Sequence, residues 1–250
     1  MSTLAGKNAL ITGASSGLGR RFAEVLAAAG AAVAITGRRV DRLEDLERSI
    51  VRAGGSALAS EMDVTRISSI REALERIDSS LGTIDVLINN SGVSVAKPLE
   101  CHEEADYDGI MDTNAKGAFF VAREVARRLI QAGRPGRIVN IASIAGLRAI
   151  GQLGVYGMSK AAVIAMTRAM AHEWARHGIA VNAICPGYIE TEMNREHWNS
   201  DNGRKLVERL PRRRLGQPRD LDGLLMLLAS DSSGLLNGAI ITADDGFSAG

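Results

Sequence analysis

The sequence predicts a single-domain α/β fold, a doubly wound parallel sheet with helices on both faces. Three observations lead there. Short β-branched or aliphatic runs alternate with longer amphipathic ones along the chain. A glycine cluster, Gly13-x-x-x-Gly17-x-Gly19, follows directly on the first short run and opens the first amphipathic one. The 250 residues contain no internal repeat, low-complexity tract or linker that would mark a second domain. Apolar strands joined through helices imply a parallel sheet, because right-handed crossovers place helices on both faces.

Taken in order, the strands are expected at 8–12, 32–36, 57–61, 84–89, 137–142, 180–184 and 239–242, each a short run rich in Ala, Val, Ile or Leu. Helices are expected at 17–29, 40–53, 66–80, 103–132, 155–177 and 218–230. Within the fourth, Asn114 is a mediocre helix former and predicts a local distortion or a buried hydrogen bond. The stretch 187–218 is charged and interrupted by Pro211, which reads as a surface excursion or a lid.

Composition narrows the partners. With 30 basic against 29 acidic residues there is no electrostatic case for nucleic acid or an anionic membrane, so a small molecule is the expected partner. No run reaches the roughly 20 apolar residues of a membrane span, and the apolar run 8–11 leads into glycines rather than forming a signal peptide. Cys101 and Cys185 are far apart with no metal-type spacing, which suggests reduced thiols, a cytoplasmic location and no metal site.

One end of the predicted sheet is suited to phosphate. In Thr12-Gly13-Ala14-Ser15-Ser16-Gly17-Leu18-Gly19, glycines let the backbone approach a pyrophosphate, and the helix start offers free N–H groups and a favourable dipole. The spacing is one residue longer than the common dinucleotide fingerprint. After the second strand comes Thr36-Gly37-Arg38-Arg39, with no acid until Asp41. An acid would repel a 2′-phosphate and an arginine fork would hold it, so NADP(H) is favoured over NAD(H), with Arg38 the main candidate and Arg39 the helper. A solvated basic helix start is the competing reading. Asp63-Val64, after the third strand, stands at the right edge to meet an adenine amino group; a helix cap, by Asp63 or Thr65, is the alternative.

The other end carries candidates for chemistry. Asn89-Asn90-Ser91-Gly92 closes the fourth strand, where open parallel sheets bind ligands, and its asparagines can tie neighbouring strands. Ser143 ends the fifth strand, thirteen residues before Tyr156. Tyr156 and Lys160 are four apart on a helix and so share a face. A lysine cation there would favour the phenolate and pull the tyrosine pKa from about 10 toward neutrality, where acid–base catalysis is effective. Alone, such a pair is also what a half-buried surface contact looks like.

The ordered set, from the glycine loop through Asn89-Asn90-Ser91-Gly92, Asn114, Ser143, Tyr156 and Lys160 to Pro186-Gly187 and Thr191, resembles the short-chain dehydrogenases/reductases over essentially the whole chain. Their short single-domain form, close to 3-oxoacyl-carrier-protein reductases in general appearance, has a Rossmann-type fold. The resemblance implies that Tyr156 is the general acid or base, that Lys160 lowers its pKa and holds the nicotinamide ribose, and that Ser143 hydrogen-bonds the substrate oxygen. Asn114 would hold a water behind Lys160. Ile189 and Thr191 would grip the carboxamide, and 188–214 would cover the substrate, with Met193, His197 and Trp198 as contact area. A homotetramer is implied, with helices 103–132 and 155–177 against symmetry mates. The family's usual Asn-Asn-Ala-Gly reads Asn-Asn-Ser-Gly here, and the basic residue many NADP(H) members carry before the second glycine is Ser16.

The first functional reading is therefore an NADP(H)-dependent carbonyl reductase or alcohol dehydrogenase. Its substrate is a small ketone, sugar or hydroxysteroid, or an acyl thioester; Arg127-Arg128 and Arg212-Arg213-Arg214 read as solvated or subunit-contact residues, with contact to an acidic or phosphorylated carrier as the alternative. An NAD-dependent dehydrogenase of alcohols or polyols is the second. A cofactor-binding sensor without chemistry is the third, and the intact Ser143, Tyr156 and Lys160 argue against it.

Overall fold

The computed structural model describes residues 4–192 and 194–249; Met193, named above as a contact residue, and the side chain of His197 lie outside the described set. Seven parallel strands form one sheet: β1 (Asn8–Thr12), β2 (Ala32–Gly37), β3 (Ser56–Glu61), β4 (Val86–Asn89), β5 (Gly136–Ile141), β6 (Ile179–Pro186) and β7 (Ile240–Ala243). Their spatial order is β3-β2-β1-β4-β5-β6-β7, so the chain reverses its direction of travel between β1 and β4. That switch point leaves a crevice at the carboxyl edge, where ligands of open α/β sheets bind.

Strand periodicity explains how both faces are covered. Ala9 and Ile11 of β1 enter one core with Val33, Ile35, Val86 and Ile88, whereas Leu10 enters the other with Ala34 and Leu87. Successive side chains point to opposite faces, so each strand feeds two cores. The first core is closed by α1 (Gly17–Ala28), α2 (Val40–Arg52) and α9 (Asp222–Ala229); Phe22 and Leu26, and Leu43, Leu46 and Ile50, fall at helical spacing. The second is closed by α3 (Ile67–Leu81), α5 (Ala118–Ala132) and α6 (Gly154–Trp174), through residues such as Ile70, Leu74, Val121 and Met170.

The expected helix 103–132 is instead broken. α4 (Glu104–Met111) runs into one π-helical stretch, Asp112–Gly117, before α5 begins. Asn114 lies in that stretch, 1% exposed, with its side chain bonded to Val93 and Ser159. Distortion and buried hydrogen bond occur together, because the wider turn lets the carboxamide leave the helix and reach a neighbouring loop. The expected helix 218–230 opens with a 3-10 turn, Pro218–Leu221, since the proline supplies no N–H to an earlier turn.

The excursion after β6 contains α7 (Arg195–Asn199) and α8 (Asp201–Arg209). Its neck is closed by backbone bonds, Glu190 N–H to Gly216 O at 2.8 Å and Gly216 N–H to Tyr188 O at 2.9 Å. Four of the five arginines considered for carrier docking are paired within the chain. Arg128 bonds Asp78 at 2.7 Å and Glu124 at 3.3 Å, Arg127 stands 3.7 Å from Glu124, and Arg212 and Arg214 both bond Asp245 at 2.9 Å. Among the described residues, no helix is long and apolar enough to cross a membrane, and no group of three or more His, Cys, Asp or Glu could hold a metal ion.

Candidate active site

A cleft of about 930 Å³ runs along the carboxyl edge of the sheet from the glycine loop to the excursion after β6. Almost every residue singled out in the sequence lines it: Gly13, Ser15, Ser16, Gly17, Leu18, Arg38, Arg39, Asp63, Val64, Asn90, Ser91, Gly92, Ser143, Tyr156, Lys160, Pro186, Gly187, Ile189 and Thr191. Gly19 and Asn114 lie one layer behind and support those that do.

At the glycine loop the close packing needs glycine. A Cβ on Gly19 would fall 2.3 Å from Gly13 O and 2.6 Å from Asn90 Nδ2, and Gly13 itself is at φ +66. Asn90 holds the loop against β4, donating from Nδ2 to Thr12 O at 2.9 Å, while the Asn90 and Ser91 N–H groups donate to Thr12 Oγ1 at 2.9 and 3.0 Å. The anticipated tie between strands is thus made twice, since Asn89 Nδ2 also donates to Asn140 Oδ1 across β4 and β5 at 3.2 Å. Ser16 caps α1 without a side-chain hydrogen bond, leaving first-turn N–H groups directed to the cleft, as an anionic pyrophosphate requires.

The two arginines at the end of β2 make different contacts. Arg39 folds over the loop, donating from Nη2 to Ser15 Oγ at 2.8 Å and to Ser16 Oγ at 2.7 Å. Arg38 also lines the cleft, and its charge acts on Asp63. Burial alone would raise the Asp63 carboxyl; hydrogen bonds from Thr65 N–H and hydroxyl, with Arg38 and Arg66, outweigh it and hold the group below the usual carboxylate range. Asp63 Oδ1 accepts from Thr65 N at 3.0 Å and from Thr65 Oγ1 at 2.8 Å, whereas α3 has Arg66 at its cap. Both expected caps are therefore replaced by a local turn in which Asp63 holds Thr65.

At the reaction end Ser143 Oγ accepts from Ala145 N–H at 3.1 Å and lines the cleft together with Tyr156. Lys160 is 4% exposed; its Nζ donates to Ile141 O at 2.8 Å and stands 5.7 Å from the Tyr156 ring centroid. The expected lowering of the Tyr156 pKa does not occur in the protein chain alone. Burial pushes the phenol up, only partly offset by the nearby Ser143 hydroxyl, and burial pulls Lys160 down to about 8. Desolvation acts on both side chains, and the ammonium is satisfied by a carbonyl rather than by the phenol oxygen.

Several contributors were missed in the sequence. Ser159, inside the Tyr156–Lys160 turn, donates to Tyr156 O at 2.7 Å and accepts from Asn114 Nδ2 at 3.0 Å. Asn114 in turn clasps Val93, accepting its N–H and donating to its carbonyl, both at 2.8 Å. Cys185 is buried close to Ser143 and Lys160, and burial pushes its thiol up to about 11, so it stays neutral. Ser94 and Gln152 also line the cleft, beside Tyr188 and Leu206 of the expected 188–214 cover. No spacing signal marks Ser94 and Gln152, because they come from separate loops.

Comparison with known proteins agrees with this arrangement. The short chain dehydrogenase family model matches residues 7–202. Gluconate 5-dehydrogenase of Gluconobacter oxydans is 37% identical over 245 residues, covering 98% of this chain and 95% of its own. NAD-dependent glycerol dehydrogenase of Listeria innocua is 34% identical over 242 residues, covering 96% of this chain and 93% of its own. A crystal structure of gluconate 5-dehydrogenase from Burkholderia cenocepacia, in complex with NADP and tartrate, superposes with a TM-score of 0.95 at 36% identity, over 99% of this chain and 97% of that one. Likeness of this extent in both sequence and fold makes the chain a member of the short-chain dehydrogenase/reductase family, an NAD(P)-dependent oxidoreductase acting on CH–OH and C=O groups.

Proposed function

We propose that this protein is an NADP(H)-dependent oxidoreductase that interconverts a secondary alcohol and its ketone on a polyol or sugar acid, with Tyr156 as general acid and base. The observation that carries the reading is that Ser143 and Tyr156 stand together on the wall of the cleft, with Lys160 buried one helical turn behind. The substrate class follows from the gluconate and glycerol dehydrogenases that the chain resembles. NADP(H), when bound, supplies or accepts the hydride.

The chain's own residues handle the oxygen and its proton. In oxidation the alcohol O–H proton passes to the Tyr156 oxygen as the adjacent C–H hydride leaves; in reduction Tyr156 returns the proton to the incipient alkoxide. Ser143 Oγ hydrogen-bonds the same oxygen and stabilises its developing charge. Lys160 holds the ribose and favours the phenolate, and Asn114, behind it, orders the water of the proton route. Gly13, Ser15, Ser16, Gly17, Leu18 and Gly19 cradle the pyrophosphate, Arg38 with Arg39 takes the 2′-phosphate, and Asp63-Val64 meets the adenine. Asn90, Ser91, Gly92, Pro186, Gly187, Ile189 and Thr191 line the nicotinamide's place, and 188–214 covers the substrate.

The assembly is a homotetramer in the cytoplasm. Support for the assembly comes from α6, which leaves Met158, Ala161, Ala165 and Ala169 exposed along one face, where close helix–helix contact is sterically open. A purified sample offered polyols and sugar acids with NADP+ and with NAD+ tests the reading through nicotinamide absorbance. Turnover with NADP+ is expected; no reduction of either cofactor by any member of the panel overturns it. Light scattering after size exclusion tests the tetramer.

A further inference from the structure

Gln152 lies at φ 64 in the turn that enters α6, four residues before Tyr156. A left-handed backbone is unfavourable for a residue with a Cβ and persists only where its surroundings impose it. Here they do. Gln152 O accepts from Lys97 N–H at 3.0 Å, Leu153 N–H donates to Ile150 O at 3.1 Å, and Leu153 O accepts from Gly157 N–H at 2.7 Å. Lys97 is itself anchored to Asp106 at 2.5 Å.

The imposed turn puts Gln152 on the cleft wall, exposed, with a carboxamide that makes no hydrogen bond among the described residues. Ser94 lines the same cleft in the same condition. Asn194 is the contrast: it accepts from Thr191 N–H and donates to Ile189 O, both at 2.8 Å, so its amide is already spent. The neighbouring wall is apolar, with Leu153, Leu206 and Tyr188 edge-on to Trp198, ring centroids 5.6 Å apart. Among the described residues lining the cleft, the cations are Arg38 and Arg39 at the glycine-loop end and Lys160, buried against Ile141 O.

We infer that Gln152 determines substrate specificity: with Ser94 it hydrogen-bonds the hydroxyl groups of an uncharged polyol or its keto form, whose carbon skeleton lies against Tyr188 and Trp198. A carboxamide donates and accepts, as a hydroxyl does; a carboxylate only accepts and is costly to desolvate without a cation beside it. Of the two substrate classes in the functional reading, on which this inference rests, the structure assigns the uncharged one.

The test compares kcat and KM for glycerol, a tetritol and a hexitol with those for five- and six-carbon aldonates. Wild-type kcat/KM should be about tenfold or more higher on the best polyol, a preference of the size one or two hydrogen bonds supply. Gln152→Gly, which tolerates the backbone, and Gln152→Leu, which keeps side-chain bulk, should each raise polyol KM about three- to tenfold with kcat and NADPH affinity little changed. Gln152→Lys should raise kcat/KM on the aldonates. Aldonates preferred by wild type, or polyol KM unmoved in both Gly and Leu variants, overturns the inference and leaves the oxidoreductase reading standing. No turnover of any hydroxy compound or ketone by wild type overturns that reading, and the inference with it.

Discussion

Lys160 and Tyr156 share one face of α6, yet Lys160 Nζ donates to Ile141 O at 2.8 Å and stands 5.7 Å from the Tyr156 ring centroid. The carbonyl at the end of β5 thus fixes the ammonium, while the phenol lines the cleft with Ser143. Two buried groups whose charged forms are disfavoured are held side by side, one normally cationic and one normally neutral. Tyr156 therefore stays a protonated phenol near neutral pH, while Lys160 is brought close to releasing its proton.

Removing the phenol hydroxyl isolates its role. Tyr156→Phe should lower kcat by about 10²- to 10⁴-fold, the span general acid–base catalysis contributes. NADPH affinity, measured by fluorescence titration, should change little. Turnover near wild type would remove Tyr156 from the mechanism.

Lys160 makes stability depend on pH in a defined window. Its folded pKa is about 8 against 10.5 normally, so between those values the unfolded chain retains a proton that the folded chain has released. Stability therefore rises with pH through that window, and below it the buried ammonium costs the fold about 3 kcal/mol. Tyr156 acts oppositely above pH 10, where the unfolded phenol ionises first. Urea midpoints at about pH 7 and pH 9.5 should rise more in wild type than in Lys160→Met. Equal slopes would show that Lys160 is not the titrating group.

The arginines beside the glycine loop should separate the two cofactors. Arg38→Ala is expected to raise KM for NADPH about 10- to 100-fold, the worth of a lost charge-assisted phosphate contact, with KM for NADH nearly unchanged. Arg39→Ala should weaken both, because Arg39 also holds Ser15 and Ser16 in the phosphate loop. A parallel loss for NADH in Arg38→Ala would assign Arg38 to the loop instead.

Glu124 tests the packing of α3 against α5. Its side chain is 5% exposed, within 3.7 Å of guanidinium groups from Arg71, Arg123, Arg127 and Arg128. Burial alone would raise its pKa, and the arginines reverse that and hold it low. Its stabilisation is present above the ordinary value of 4.5 and is lost as pH falls through the depressed folded value. Glu124→Ala should cost about 1–3 kcal/mol, because Arg123 and Arg128 lose a charged hydrogen-bond partner while the more exposed Arg71 and Arg127 are screened by solvent. A change under 1 kcal/mol by urea unfolding would show that solvent screens the cluster.

The sequence by itself determined the strand–helix alternation, the parallel sheet and most of the cleft lining, because these follow from local periodicity, glycine spacing and the position of loops at strand ends. All seven strands fall within two residues of their expected bounds, since an apolar run between turn residues has few alternatives in a sheet covered on both faces. The break at Asp112–Gly117 was legible only as one poor helix former, Asn114; its π-helical form depended on the loop at Val93 being within reach. Tertiary structure alone decided the charge states of Tyr156 and Lys160, which depend on desolvation and on a carbonyl from another strand, 19 residues away. It also decided that Arg127, Arg128, Arg212 and Arg214 face internal carboxylates, and that Gln152, held left-handed by Lys97, stands beside Tyr156 in the cleft. Spacing can say which side chains share a helix face. What those side chains meet across the cleft is set by contacts far apart in the chain, and one sequence read alone does not contain their distances.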